Sequence, residues 1–221
     1  MILAVAGGKG GVGKTTLAYN LAAALSAVVV DADLGMADLP IGRGSGPDLH
    51  DVLAGRADPV ECVRGGPVPV VPCGRSFAGA RACDLTEVAG ALRAVERRHE
   101  TVVVDCPAGR RADAGVPLAA ADACLLAVSP RAFALADAIR MRELARELGA
   151  GLVAAAVNRV VDPAEVPTGR VADALGAPTH VVPADPRVGR SVTEEEPVVD
   201  AAPESDAAAA VQSLAERVPA D

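Results

Sequence analysis

Aromatic side chains are almost absent from this sequence: 221 residues include no tryptophan, one tyrosine and two phenylalanines. A core without rings has to be filled by Val, Leu, Ala and Ile, and a hydrophobic content of 51% is enough to do so. Lysine is nearly absent too. Of 21 basic residues only Lys9 and Lys14 are lysines, and both stand in one glycine-rich stretch. No run of 18 apolar residues occurs, so no membrane-spanning helix is expected. The opening MILAVAGGKG has no basic segment, and its apolar run is too short for a secretory signal. Paired cysteines at metal spacing are also missing. The five cysteines, Cys62, Cys73, Cys83, Cys106 and Cys124, are odd in number, widely spaced and without C-x-x-C. They read as buried thiols in a reducing cytosol. Basic charge is in deficit: the net charge is −8, which argues against a broad nucleic-acid surface and leaves room for a small Arg patch.

What is present is an alternation of short apolar runs with longer helical patterns. ILAVA (2–6), AVVVD (27–31), VPVV (68–71), TVVVD (101–105), ACLLAVS (123–129), LVAAAV (152–157) and HVVP (180–183) read as strands. They are apolar throughout rather than at every second residue, as strands buried on both faces are. Leu17, Leu21 and Leu25 share one face of a helix after the first strand. Further helices are expected over 84–98, with Asp84 as N-cap and Glu87 three residues on, and over 131–149, closed by Gly149. The alternation predicts an α/β fold, a mostly parallel twisted sheet of about seven strands with helices on both faces. Residues 40–66 break the pattern and are expected as an irregular excursion around the helical piece DLHDVLAG. Residues 1–200 read as one domain, with 201–221 as its final helix or tail.

Gly8-Lys9-Gly10-Gly11-Val12-Gly13-Lys14-Thr15 satisfies G-x-x-x-x-G-K-[ST] and lies between a predicted strand and a predicted helix. Glycines let such a loop turn its N–H groups toward phosphate oxygens, and the helix N-terminus adds partial positive charge. Lys14 would pair with the β- and γ-phosphates, and Thr15, followed by Thr16, would offer a hydroxyl to Mg²⁺. A phosphate loop does not need a lysine at its second position, which makes Lys9 the unusual residue.

Two carboxylate stations follow. VVVDADLGMADL (28–39) ends a strand in Asp31 and Asp33, which as i and i+2 of an extended chain face the same side. Ligand crevices of parallel sheets lie at the carboxyl ends of the strands, so at least one of these acids should look toward the phosphates. TVVVDCPAG (101–109) carries Asp105 at the end of a buried strand, the form that holds Mg²⁺ through water. A strand ending at a capped turn is the plainer reading of Asp31 and Asp33, and apolar runs ending in Asp, as at Asp105, are common.

The stretch from Lys9 to Thr15 resembles the MinD/ParA family of P-loop ATPases, whose deviant Walker A motif reads K-G-G-x-G-K-[ST]. Asp31-Ala32-Asp33 with Gly35 and Leu39 is similar to that family's switch I, and Asp105-Cys106-Pro107-Ala108-Gly109 to its switch II. The resemblance implies that Lys9 crosses a dimer interface to the nucleotide of the other subunit. It implies that Asp33 orients the attacking water, that Asp31 helps the Mg²⁺ shell and that Asp105 holds the ion. VNRV (157–160) and VVPADPRVGRSVTEEEPVV (181–199) are shorter matches, by which Asn158, Pro183 and Asp185 would frame the adenine. A polar strand end and a turn explain those as well.

The implied cofactors are ATP and Mg²⁺. The implied activity is ATP hydrolysis by a protein that switches between monomer and ATP-held homodimer, positioning division, motility or chromosome machinery with an activator or scaffold protein. The Ala-rich tail, with acids at Glu204, Asp206, Glu216 and Asp221 and no aromatic, is a poor membrane anchor. A cytoplasmic location is expected, with membrane or polar contact made through a partner. DNA binding is not evident, since Arg140, Arg142 and Arg146 form the one visible Arg cluster. Three readings compete: an ATP-dependent ligase, an Fe–S carrier with Cys106 and Cys124 meeting at a twofold axis, and an ATP-binding adaptor that does not hydrolyse.

Overall fold

The apolar runs form a single sheet in a computed structural model that describes residues 1–40, 45–109, 112–131 and 134–219. Its strands are β1 (Ile2–Ala6), β2 (Val28–Asp31), β3 (Val70–Val71), β4 (Val102–Asp105), β5 (Ala123–Val128), β6 (Gly151–Val160) and β7 (Thr179–Pro183). The spatial order is β3-β2-β4-β1-β5-β6-β7, with every neighbouring pair parallel. β4 lies on one side of β1 and β5 on the other. The connections therefore diverge beside the end of β1, where open parallel sheets hold ligands.

Ten helices flank the sheet among the described residues: α1 (Lys14–Ala24), α2 (Leu49–Leu53), α3 (Phe77–Ala82), α4 (Val88–His99), α5 (Ala112–Ala120), α6 (Ala134–Glu147), α7 (Thr168–Leu175), α8 (Pro186–Glu194), α9 (Val198–Ala201) and α10 (Asp206–Ala215). Every residue of β1, β2, β4 and β5 is buried, which is why these strands are apolar throughout. Alternate strand residues feed two cores. Ile2, Ala4, Val30 and Val104 pack with Leu92 of α4 and Met141 of α6. Leu3, Val5, Val29 and Val103 pack with Leu17 and Leu21 of α1 and with Val211 and Leu214 of α10.

The structure differs from the sequence expectations at several boundaries. The helix expected from residue 84 starts at Val88, because Asp84 instead caps a 3₁₀ turn over Leu85–Glu87 by accepting from Thr86 N. The helix expected over 131–149 spans Ala134–Glu147, and residues 132 and 133 lie outside the described residues. β3 is two residues long between Pro69 and Pro72, which supply no N–H. On its outer side Val70 exchanges both backbone hydrogen bonds with Arg64, at 2.8 and 2.9 Å. β6 runs three residues past the expected strand end. The excursion over 40–66 contains α2 and a 3₁₀ turn at Val60–Cys62, with residues 41–44 outside the described residues.

One polar cluster crosses the second core. Asn20 of α1 is fully buried; its amide donates to Thr16 O and to Ser191 Oγ, both at 2.7 Å, and its Oδ1 accepts from Val198 N at 2.7 Å. Ser191 Oγ donates onward to Val188 O at 2.9 Å. The cluster joins α1 to α8 and α9 with its polar groups satisfied, which makes removal of one member costly. Asn20→Ala should lower unfolding stability in urea by about 2 kcal/mol or more. A loss under about 0.5 kcal/mol, ordinary for a surface change, would show the cluster to be dispensable.

Candidate functional site

β1 ends at Ala6 and α1 begins at Lys14, so the glycine-rich loop fills the gap between strand and helix. Gly13, at the N-cap, has φ +89, and a Cβ there would lie 2.4 Å from Asn158 Nδ2. Both facts demand glycine. Asn158, buried near the end of β6, donates to Val12 O at 3.0 Å, and the neighbouring Arg159 donates to Gly11 O at 2.9 Å. With these two carbonyls drawn toward β6, the N–H groups across the same trans peptides, on Val12 and Gly13, point the opposite way.

Gly10, Gly11, Gly13, Lys14, Thr15, Thr16 and Asp33 line a cavity of about 340 Å³, with Gly189, Val192 and Thr193 of α8 on another wall. Gly8, Lys9 and Val12 line an adjoining cavity of about 240 Å³ with Asn158 and Arg159. Lys14 is buried, whereas the Lys9 side chain is 55% exposed and pairs with Asp137 of α6 at 2.9 Å.

The three predicted acids take different places. Asp105, at the end of β4, is buried beneath the loop, with a hydrogen bond to the Thr15 side chain and with Oδ1 lacking any partner. Burial pushes its pKa up to about 8, against the pull of Thr15. Asp31 stands opposite it in the β2–β4 register and is fully buried. Burial lifts Asp31 to about 7, although its two oxygens accept from Asp33 N at 3.1 Å and Leu39 N at 3.2 Å. Asp31 thus holds the loop of residues 32–39, while Asp33 opens onto the larger cavity. Burial also raises the Asp33 carboxyl, with hydrogen bonds from the loop backbone opposing it.

This donor set fits a hard divalent cation. A buried carboxylate oxygen without a partner lies beside a threonine hydroxyl at the foot of a phosphate-sized cavity. Oxygen donors favour Mg²⁺ over a soft metal. Among the described residues no group of three His, Cys, Asp or Glu forms a cage, so an ion here would complete its shell with water and phosphate.

Some predicted residues stay away from the loop. Pro183 ends β7, and Asp185 caps α8, accepting from Arg187 N at 2.8 Å and pairing with its guanidinium at 2.7 Å. Neither lines the two loop cavities, and α8 reaches only the larger of them, through Gly189, Val192 and Thr193. Cys106 and Cys124 are buried in the core, Cys106 beside the larger loop cavity. The α6 arginines are paired within their own helix: Arg140 with Asp137, and Arg142 and Arg146 with Glu143. Sequence reasoning missed Asp137 and Arg159. Arg159 stands in the quoted VNRV, but nothing in its residue type announces the left-handed backbone, φ +62, that aims it at the loop.

The profile of the CobQ/CobB/MinD/ParA nucleotide-binding domain matches residues 3–198. An ATP-binding protein of Methanocaldococcus jannaschii with no assigned role is 34% identical over 98% of this chain and 86% of its own. The crystal structure of the cell division ATPase MinD from Pyrococcus furiosus superposes with a TM-score of 0.89 at 29% identity, covering 98% of this chain and 97% of that one. MinD of Pyrococcus horikoshii, solved with Mg-ADP, superposes with a TM-score of 0.89 at 27% identity, covering 97% and 94%. The chain belongs to the CobQ/CobB/MinD/ParA nucleotide-binding family.

Without cation or nucleotide, Asp31 and Asp105 bind protons more tightly folded than unfolded. Their contribution to stability is greatest below the ordinary carboxylate range and is lost as pH rises through about 7 and about 8. In chelator, the thermal midpoint should therefore fall toward alkaline pH, and Asp105→Asn should flatten part of that fall. Parallel curves for the two proteins would show that Asp105 titrates as an ordinary carboxylate.

Proposed function

We propose, on the premise of that family membership, that the protein hydrolyses MgATP and alternates between a monomer and a homodimer closed around nucleotide. The observation that carries this reading is the division between two lysines of one loop. Lys14 is buried against the cavity, and Lys9 stands half exposed outside it. In this reading Lys14 and the loop N–H groups hold the β- and γ-phosphates. The hydroxyl of Thr15 and, through water, Asp105 would hold Mg²⁺, with Asp31 behind them. The ion, when bound, supplies charge neutralisation at the phosphate oxygens. Asp33 orients a water for in-line attack on the γ-phosphorus, releasing ADP and phosphate. Asn158 and Arg159, with the face of α8 that Pro183 and Asp185 position, would frame the adenine.

Lys9 completes the site of a second copy. To do so it has to leave Asp137, a partly exposed pair that solvent screens. Charge-assisted bonds to phosphate in a closing interface outweigh that cost. A role in positioning cellular machinery, with an activator or scaffold protein, draws support from full-length similarity to a cell division ATPase. No described helix is long and apolar enough to cross a membrane, so membrane contact by a cytoplasmic protein would run through that partner.

Lys14→Ala should abolish ATP binding. Lys9→Ala should bind ATP yet sediment as a monomer. Asp33→Ala should bind ATP, remain dimeric and lose phosphate release by about 100-fold. Sedimentation velocity in MgATP, with a phosphate-release assay, measures all three; an Asp33→Ala protein that stays monomeric in MgATP would overturn the switch.

A further inference from the structure

α2 begins at a capping box: Asp48 accepts from Asp51 N, and the Asp51 carboxylate accepts from Asp48 N. This start sets the helix phase and buries His50, which is 3% exposed. The His50 Nε2 lies 3.2 Å from the carbonyl oxygen of Leu34 and 3.3 Å from Cys73 Sγ. Leu34 is the residue after Asp33. The other ring nitrogen, Nδ1, is buried without a hydrogen-bond partner. Backbone walls it in, since a Cβ would stand 2.3 Å from it at Gly74 and 2.6 Å from it at Gly79.

These contacts select one tautomer. Burial holds the Cys73 thiol well above its ordinary range, so it is neutral. With the ring proton on Nε2, His50 donates to Leu34 O, Nδ1 stays bare, and the weak Cys73 S–H donor loses this acceptor. With the proton on Nδ1, Nε2 can only accept from the Cys73 thiol. Leu34 O then loses this donor, and a buried N–H has no acceptor. A weak thiol donor and a bare ring nitrogen left unpaired cost less than an unpaired ring N–H and a carbonyl without its donor, so the Nε2–H form prevails.

We propose that His50 is a positioning residue for hydrolysis, its Nε2–H fixing the Leu34 carbonyl and with it the adjoining Asp33 carboxylate. The inference rests on the reading of Asp33 as the group that orients the attacking water. Asp31 anchors the same loop at the amides of residues 33 and 39. His50 anchors it from α2, at the carbonyl of Leu34, in the peptide between Leu34 and Gly35. A loop held at all three points keeps Asp33 in one place over the phosphate cavity. A loop released at Leu34 lets the carboxylate wander, which costs rate while leaving the phosphate contacts intact.

Three variants test this: His50→Gln, whose amide keeps an N–H donor near the Nε2 position; His50→Leu, which fills the space without one; and Gly79→Ala, whose methyl presses on the ring from the Nδ1 side. His50→Leu and Gly79→Ala should lower kcat for phosphate release about tenfold with ATP affinity unchanged. His50→Gln should recover to within about twofold of the parent. Ring ¹⁵N spectra of the parent should show His50 protonated at Nε2 alone, and His99 and His180 are the only other histidines to assign. A parental kcat in His50→Leu, a His50→Gln protein as slow as His50→Leu, or a ring protonated at Nδ1 would each overturn the proposal. Should His50→Leu fail to fold, a parental kcat in Gly79→Ala overturns it instead. Asp33→Ala in the same assay separates the two layers. Normal hydrolysis by Asp33→Ala removes the underlying reading, whereas an inactive Asp33→Ala beside a fully active His50→Leu removes only the role of His50.

Discussion

Two carboxylates, Asp31 and Asp105, face each other in register at the ends of buried strands. Neither can hold its charge there unaided, because a low-dielectric interior disfavours the ionised form. The surroundings answer in different ways. Two backbone amides meet Asp31, and the Thr15 hydroxyl with the nearby Lys14 partly meets Asp105. One oxygen of Asp105 stays without a partner. In the proposed reading a phosphate-bearing ligand with its divalent cation would complete this arrangement, and the site would be tuned to its bound state at the expense of the empty one.

That tuning needs a rigid frame, and the frame is polar as much as apolar. Asn158 and Arg159 tie the loop to β6, Asn20 ties the loop helix to α8 and α9, and His50 ties the acidic loop to α2. Apart from the bond of Asn20 to the Ser191 hydroxyl, each tie ends on a backbone group distant in sequence. Each therefore fixes the chain path near the cavity without occupying it. Lys9 is the exception, because its contact with Asp137 is partly exposed and weak enough to exchange.

The sheet was legible from the sequence because its signal is local. ILAVA and TVVVD are buried on both faces, and unbroken apolar runs report that directly. The glycine-rich loop was legible for a similar reason, since backbone shape demands glycine at position 13. Asp31 was harder. Its spacing from Asp33 predicts a shared direction, yet the strand ends at Asp31 and only Asp33 opens onto the cavity. Asp137, Arg159 and His50 were not legible as site residues. Their roles depend on where distant elements dock and, for Arg159, on a positive φ that no residue type in VNRV announces. The late start of α4 has the same character, because Asp84 can cap a tight turn or a helix with equal ease.

The short outer strand β3 has a consequence for assembly. A sheet border normally offers a ladder of unpaired amides and carbonyls to any passing strand, the usual opening for edge-to-edge aggregation. Here prolines flank the border strand, and Arg64 already occupies both outward bonds of Val70. Copies of this chain are thereby denied a template for indiscriminate strand addition along that border. For the nucleotide-closed homodimer proposed above, such an edge would leave self-association to the ligand site alone.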